Sequence, residues 1–98
     1  MNKTILITGG AIRIGKAICE KFHKEGFNIL CHYNSSKKYA DELSEELNSI
    51  RKDSCSIIQF DLNDIDKYPA FIEKIKELSK SVDVLVNNAS AFYSSPLD

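Results

Sequence analysis

Four short apolar runs separated by three helical stripes dominate the chain, and that alternation leaves few folds open. Thr4-Ile5-Leu6-Ile7-Thr8 is a β-branched run that stops at Gly9-Gly10, as a buried strand does before a turn. Ile14, Ala17, Ile18 and Phe22 then fall at i, i+3, i+4 and i+8, one face of a helix ending near Gly26. Phe27 to His32 reads as a second strand centred on Ile29, Leu30 and Cys31. Ala40, Leu43, Leu47 and Ile50 stripe a second helix between Ser36 and Arg51, and Cys55 to Phe60 forms a third strand. Pro69 suits the first turn of a third helix, with Phe71, Ile72, Ile75 and Leu78 as its apolar face. Val82 to Asn87 is the fourth strand, after which Asn88 to Pro96 shows neither period.

A βαβαβαβ series with right-handed crossovers makes a parallel sheet. Its continuous rather than alternating apolar strands suit a sheet covered on both faces. The expected fold class is therefore α/β, a four-stranded, incomplete Rossmann-type sheet of order 3-2-1-4 with flanking helices. No linker or low-complexity stretch interrupts residues 1–98, which read as one small domain.

Composition removes several alternatives. A chain that is 43% hydrophobic with net charge −1 is not generally disordered. Its apolar runs are far shorter than the ~20 residues of a membrane span, so no membrane association is expected. The N-terminus lacks the ~7–15-residue apolar stretch of a secretory leader. Cys19, Cys31 and Cys55 are odd in number, widely spaced and without Cys-x-x-Cys, which argues against disulfides or a metal site and for a reducing, cytoplasmic setting. Residues 1–26 carry net +3 and the remainder net −4. That first quarter suits an anionic ligand, although solvated helix lysines would give the same count. The cations are too few and too interleaved with acids for nucleic acid.

The first strand-to-helix turn, Thr8-Gly9-Gly10-Ala11-Ile12-Arg13-Ile14-Gly15, suits a pyrophosphate: Gly9 permits the tight turn and Gly15 brings the helix N-terminus close. A structural turn would explain Gly9-Gly10 equally well, but the strand before and helix after favour dinucleotide binding. Thr8-Gly9 with Gly15, and Asn87-Asn88-Ala89-Ser90 after the fourth strand, resemble the Thr-Gly-x-x-x-Gly-x-Gly and Asn-Asn-Ala-Gly motifs of the short-chain dehydrogenase/reductase family. Arg13 replaces the middle glycine and Ser90 the last one. Both departures, with His32-Tyr33 and Ser90-Ala91-Phe92-Tyr93, resemble the pteridine reductase branch. The resemblance covers the whole chain but only the N-terminal, cofactor-binding part of such an enzyme.

NAD-specific sites present a carboxylate to the ribose about 20 residues beyond the glycines, whereas here none appears between Cys31 and Asp41. NADPH is the expected cofactor, with Arg13 adding charge-assisted bonds. The resemblance implies Arg13 and Ile14 at the pyrophosphate, His32, Tyr33, Asn34 and Ser36 around the 2′-phosphate, and Asp61 and Leu62 at adenine. It also implies Asn88, Ala89 and Ser90 along the ribose–nicotinamide path, and Ser90 and Phe92 against a pterin-like substrate. The arginine that often follows the second strand in that branch is replaced here by Asn34 or Ser35.

The family's proton donor is the tyrosine of a Tyr-x-x-x-Lys pair, whose lysine lowers the phenol's pKa. Tyr33 and Lys37 have that spacing but straddle a strand end and a turn on the adenosine side. They are assigned no catalysis. The family's pair lies on a helix after a fifth strand, beyond residue 98, so the catalytic half is absent from this chain. The expected function is the cofactor-binding part of an NADPH-dependent pteridine reductase, inactive alone, whose parent is a homo-oligomer. A 3-oxoacyl-type carbonyl reductase and a non-catalytic nucleotide-binding remnant are the alternatives.

Overall fold

The computed structural model describes residues 2–79 and 81–88. Its four strands are β1 (Thr4–Ile7), β2 (Asn28–Tyr33), β3 (Cys55–Gln59) and β4 (Val84–Val86). Three α-helices connect them in turn: α1 (Arg13–Lys24), α2 (Lys37–Ile50) and α3 (Tyr68–Leu78), the last entered through a 3₁₀ turn at Ile65–Lys67. The sheet is parallel throughout and ordered β3-β2-β1-β4. This is the incomplete Rossmann-like α/β fold expected from the strand–helix alternation.

Burial on both sides of the strands gives three layers. Ile5, Ile7, Ile29, Cys31 and Tyr33 pack with Cys19, Leu43 and Leu47 in one cluster. Leu6, Leu30 and Ile58 face Phe71 and Ile75 of α3 in a smaller one. Alternate residues of one strand thus serve opposite faces, which is why the strands read as continuous apolar runs.

Each of the three expected helical stripes differs in part from the observed burial. In α1 the buried residues are Gly15, Cys19 and His23, while Ile14 is 65% exposed and Ala17 is also exposed. A side-chain-free contact at Gly15 turns the helix about one residue away from the stripe of large apolar groups. In α3 nothing is fully buried, and Ile72 and Leu78 are exposed. Ile50 of α2 is exposed as well, whereas Ala40, Leu43 and Leu47 are buried as expected.

The end of α1 is well determined. Phe27 N–H donates to Phe22 C=O and Gly26 N–H to His23 C=O, both at 3.0 Å, the paired bonds of a Schellman motif. Gly26 has φ +100°, and a Cβ there would touch nothing within 4 Å, so only the backbone conformation demands glycine. Phe22 and Phe27 close the motif edge to face at 5.2 Å. Arg51 then ties the end of α2 to the same corner, donating to the carbonyls of His23 at 3.1 Å and Phe27 at 2.6 Å.

On β4, Leu85 is 62% exposed, and among the described residues only β1 pairs with this strand. An apolar sheet edge of this kind templates association. Leu85→Lys is expected to lower concentration-dependent light scattering while changing unfolding stability by no more than about 0.5 kcal/mol. Unchanged scattering would place the association elsewhere.

Candidate functional site

Parallel strands end together, so the segments following β1, β2 and β3 line one edge of the sheet. These are the glycine turn at 9–15, residues 34–36 and Asp61-Leu62. The chain leaves β1 toward β2 and β3 and then crosses back to β4, so the glycine turn sits at the switch point where open α/β sheets bind ligands.

The turn is clamped from several sides. Gly9 takes φ +63°. Its N–H donates to His32 Nδ1 at 3.0 Å, and its carbonyl accepts from Asn88 Nδ2 at 3.0 Å. Gly10 N–H donates to the His32 carbonyl at 3.0 Å. A Cβ on Gly15 would stand 2.2 Å from the Gly9 carbonyl oxygen and 2.7 Å from Asn88 Nδ2, so no side chain fits where α1 meets the turn. At Gly10 a Cβ would stand 3.0 Å from Cys19 Sγ and 3.1 Å from Cys31 Sγ, a tight fit that those side chains would have to relieve by a small shift.

Arg13, where the family motif has glycine, adopts φ +55°. That left-handed conformation costs an L side chain roughly 1–2 kcal/mol. Arg13 and Ile14 are exposed at the start of α1. This helix has neither an acidic residue in its first turn nor a side-chain cap, which leaves its N-terminal amides suited to an anion. Arg13 and Lys16 line an open groove of about 430 Å³, whose other wall carries Tyr39, Glu42 and Glu46 of α2.

The start of α2 repeats the arrangement. Asn34 is exposed, and both its carbonyl and its Oδ1 accept from Gln59 Nε2, at 3.0 and 3.3 Å. Ser36 occupies the N-cap position without capping through its side chain, and no acid lies in the first turn. Asp41 is held by Lys37 at 2.8 Å. After β3, exposed Asp61 accepts the Asn63 N–H at 2.9 Å, and the Leu62 carbonyl accepts from the Tyr68 hydroxyl at 2.6 Å.

Three expected contacts are placed differently. His32 is only 2% exposed and both its ring nitrogens bond within the protein, Nε2 to the Phe60 carbonyl at 2.7 Å, so the ring does not face a 2′-phosphate. Tyr33 packs in the core beneath α1 and α2, because successive side chains on a strand point to opposite faces. Asn88 is buried and braces the Gly9 carbonyl. Ala89, Ser90 and Phe92 lie outside the described residues.

The roles of Gly10 and Asn88 went unread for the same reason: both depend on contacts between distant segments. The three cysteines are free and buried. Burial pushes the Cys55 thiol up to about 12, while a bond to Cys31 and then burial push Cys19 higher. Both stay protonated and unreactive. No described group of three or more His, Cys, Asp or Glu could hold a metal ion, and no described helix is long and apolar enough to cross a membrane.

A glycine turn entering a helix at the switch point of a parallel sheet is the arrangement of a Rossmann-like fold. The family model for short chain dehydrogenase matches residues 3–97, and the chain belongs to that family. It is 33% identical to pteridine reductase 1 of Leishmania tarentolae, over 94% of this chain and 38% of the relative. It is 37% identical to 3-oxoacyl-(acyl-carrier-protein) reductase FabG of Staphylococcus aureus, over 91% of this chain and 36% of the relative. An uncharacterized oxidoreductase of Bacillus subtilis, YmfI, matches at 37% over the same shares. The chain thus spans little more than a third of the length of these relatives.

Two substitutions test the turn. Gly15→Ala is expected to cost more than about 3 kcal/mol, since backbone rather than a flexible side chain must move. Arg13→Gly is expected to raise stability by up to about 1 kcal/mol by relieving the left-handed conformation. Urea unfolding reads both, and a stable Gly15→Ala protein would refute the close approach.

Proposed function

We propose that the chain is the N-terminal, cofactor-binding part of an NADPH-dependent short-chain reductase acting on a pteridine of the dihydrobiopterin or dihydrofolate type. The observation that carries the cofactor choice is the segment after β2. From Asn34 to Lys38 it holds no carboxylate, and the first acid, Asp41, is paired with Lys37 at 2.8 Å. A 2′-phosphate would meet the uncapped amides of α2, the Asn34 and Ser36 side chains and the Arg13 guanidinium rather than a repelling anion. The pyrophosphate would lie on the amides of α1 beside Gly9 and Gly15, and adenine beside Asp61 and Leu62.

A nicotinamide cofactor held by these residues would bring hydride chemistry to the site. This chain's residues bind and orient: Gly9, Gly15 and the start of α1 set the pyrophosphate, and Asn88 holds the turn. None of these described residues is placed to supply the proton. The Tyr33 ring is packed in the core, so the Tyr33–Lys37 spacing does not create a donor. Mixed with NADPH and dihydrobiopterin, the chain alone is expected to give background oxidation only, unchanged by Tyr33→Phe.

The pteridine assignment is supported by the likeness to pteridine reductase 1 and by Ser90 and Phe92 in the sequence. A second reading, a 3-oxoacyl-type carbonyl reductase, is favoured by the comparable likeness to the Staphylococcus aureus enzyme. Turnover of dihydrobiopterin against a 3-oxoacyl thioester, in a full-length reductase carrying this segment, separates the two.

Cofactor choice is tested by calorimetric titration with NADPH and NADH. One charge-assisted bond at the 2′-phosphate is worth roughly 1.5–3 kcal/mol, so NADPH should bind about ten- to hundredfold tighter. Asn34→Asp should erode or reverse that preference, and Arg13→Ala should weaken NADPH more than NADH. Equal losses for both cofactors would remove Arg13 from the 2′-phosphate.

A further inference from the structure

His32 commits both ring nitrogens and its backbone carbonyl to neighbouring segments. Nδ1 accepts the Gly9 N–H at 3.0 Å, and Nε2 lies 2.7 Å from the Phe60 carbonyl. The backbone carbonyl accepts the Gly10 N–H at 3.0 Å. A carbonyl can only accept, so Nε2 carries the proton, while Nδ1 must be bare to accept from Gly9. This geometry admits one tautomer and no charge.

The partners have a pattern. Gly9-Gly10 opens the turn into α1, Phe60 immediately precedes Asp61-Leu62, and His32 itself stands just before residues 33–36. We propose that His32 is the positioning residue of the dinucleotide site, a neutral imidazole that fixes these three segments relative to one another before the ligand arrives. The identity of the ligand rests on the NADP reading above; the positioning rests on the geometry alone.

Protonation would place a donor at Nδ1 against the Gly9 N–H, so the clamp and a positive charge exclude each other. Burial holds the ring below the ordinary histidine value, with a weaker opposing pull from the Phe60 carbonyl. The surroundings agree with this. Phe71 of α3 lies edge-on at 5.9 Å, Ile58 is the β3 register partner, and Cys31 and Tyr33 belong to the cluster on the opposite face of β2. Asp61, beyond Phe60, is exposed, and no charged group contributes to the shift. With the folded value below the unfolded one, the clamp's contribution is complete above about pH 6.5 and is lost as pH falls through the lower folded value.

The test uses the full chain in two arms. Without ligand, nitrogen-15 spectra of the ring at pH 7.5 should show Nε2 protonated and Nδ1 bare; an Nδ1–H tautomer or an imidazolium would overturn the proposal. With NADP⁺ as the probe, affinity at pH 7.5 should fall about tenfold or more in His32→Leu, the loss of roughly one hydrogen bond. It should return to within about threefold of the parent in His32→Asn, whose Oδ1 can replace Nδ1 as acceptor.

Where nitrogen-15 spectra show the ring taking up a proton on acidification, the parent should lose affinity more steeply than His32→Asn, because the asparagine takes up no proton. Equal affinities of the parent and His32→Leu, or protonation of the ring that leaves the parent's profile parallel to that of His32→Asn, would overturn positioning by this ring. If His32→Leu does not fold, the ring spectrum and the His32→Asn profile decide. Should the parent itself not bind NADP⁺, the cofactor reading fails instead. Gly9 amide exchange then decides the proposal: slow in the parent and in His32→Asn supports it, and fast in the parent overturns it.

Discussion

The close approach of α1 to the Gly9 carbonyl is the constraint from which the remaining geometry follows. With only 2.2 Å available for a Cβ at position 15, glycine is obligatory there, and the helix meets the sheet through backbone. The preceding turn must therefore reverse sharply, which it does with left-handed conformations at Gly9 and Arg13. The last described residue, Asn88, completes the first loop, 79 positions away in sequence from its Gly9 partner. Such a contact forms only once β4 is in register beside β1, so the loop is a product of the assembled sheet rather than a local turn.

Polar accounting explains why this edge suits an anion. The turn's own groups at Gly9 and Gly10 are satisfied by His32, Asn88 and the Cys19 thiol, which donates to the Gly10 carbonyl. By contrast, α1 and α2 both begin without a side-chain cap and without an acid in the first turn. A missing cap typically costs about 1 kcal/mol, and Ser36 stands at the N-cap of α2 without supplying one. A phosphate would complement the exposed amides and the helix dipole at each end. The uncapped ends and the lack of an acid in either first turn thus suit the same kind of ligand, while Glu42 and Glu46 stand across the groove from Arg13 and Lys16.

Strand order and parallel pairing were legible because three crossovers admit few arrangements and each run carries apolar residues for both faces. Helix rotation was less so. A periodicity count weights large side chains, and α1 seats itself on Gly15 and on His23, a polar residue made tolerable inside by a 2.6 Å bond to Ser54. The glycine positions could be read from the motif, since a missing side chain is visible in sequence. The inward turn of His32, Tyr33 and Asn88 could not. Each is a polar residue whose direction depends on strand alternation and on partners in distant segments.

The two faces of the sheet are unequally packed, and this bears on how the site is held. The α1–α2 side has a broad buried cluster, whereas the α3 side rests on Leu6, Leu30 and Ile58 with only partly buried helix residues against them. The glycine turn takes its shape mainly from the better-packed side, through Gly15, Cys19 and Cys31. His32 crosses that division. Its ring lies on the α3 side, 5.9 Å from Phe71, which in turn stacks on Phe60 at 4.2 Å with the rings 3° from parallel. Phe60 supplies the carbonyl that fixes the His32 tautomer. A shift of α3 would therefore reach Gly9 through the Phe71 and Phe60 rings and the His32 imidazole, so the glycine turn is coupled to the thinner layer as well as to the better-packed one.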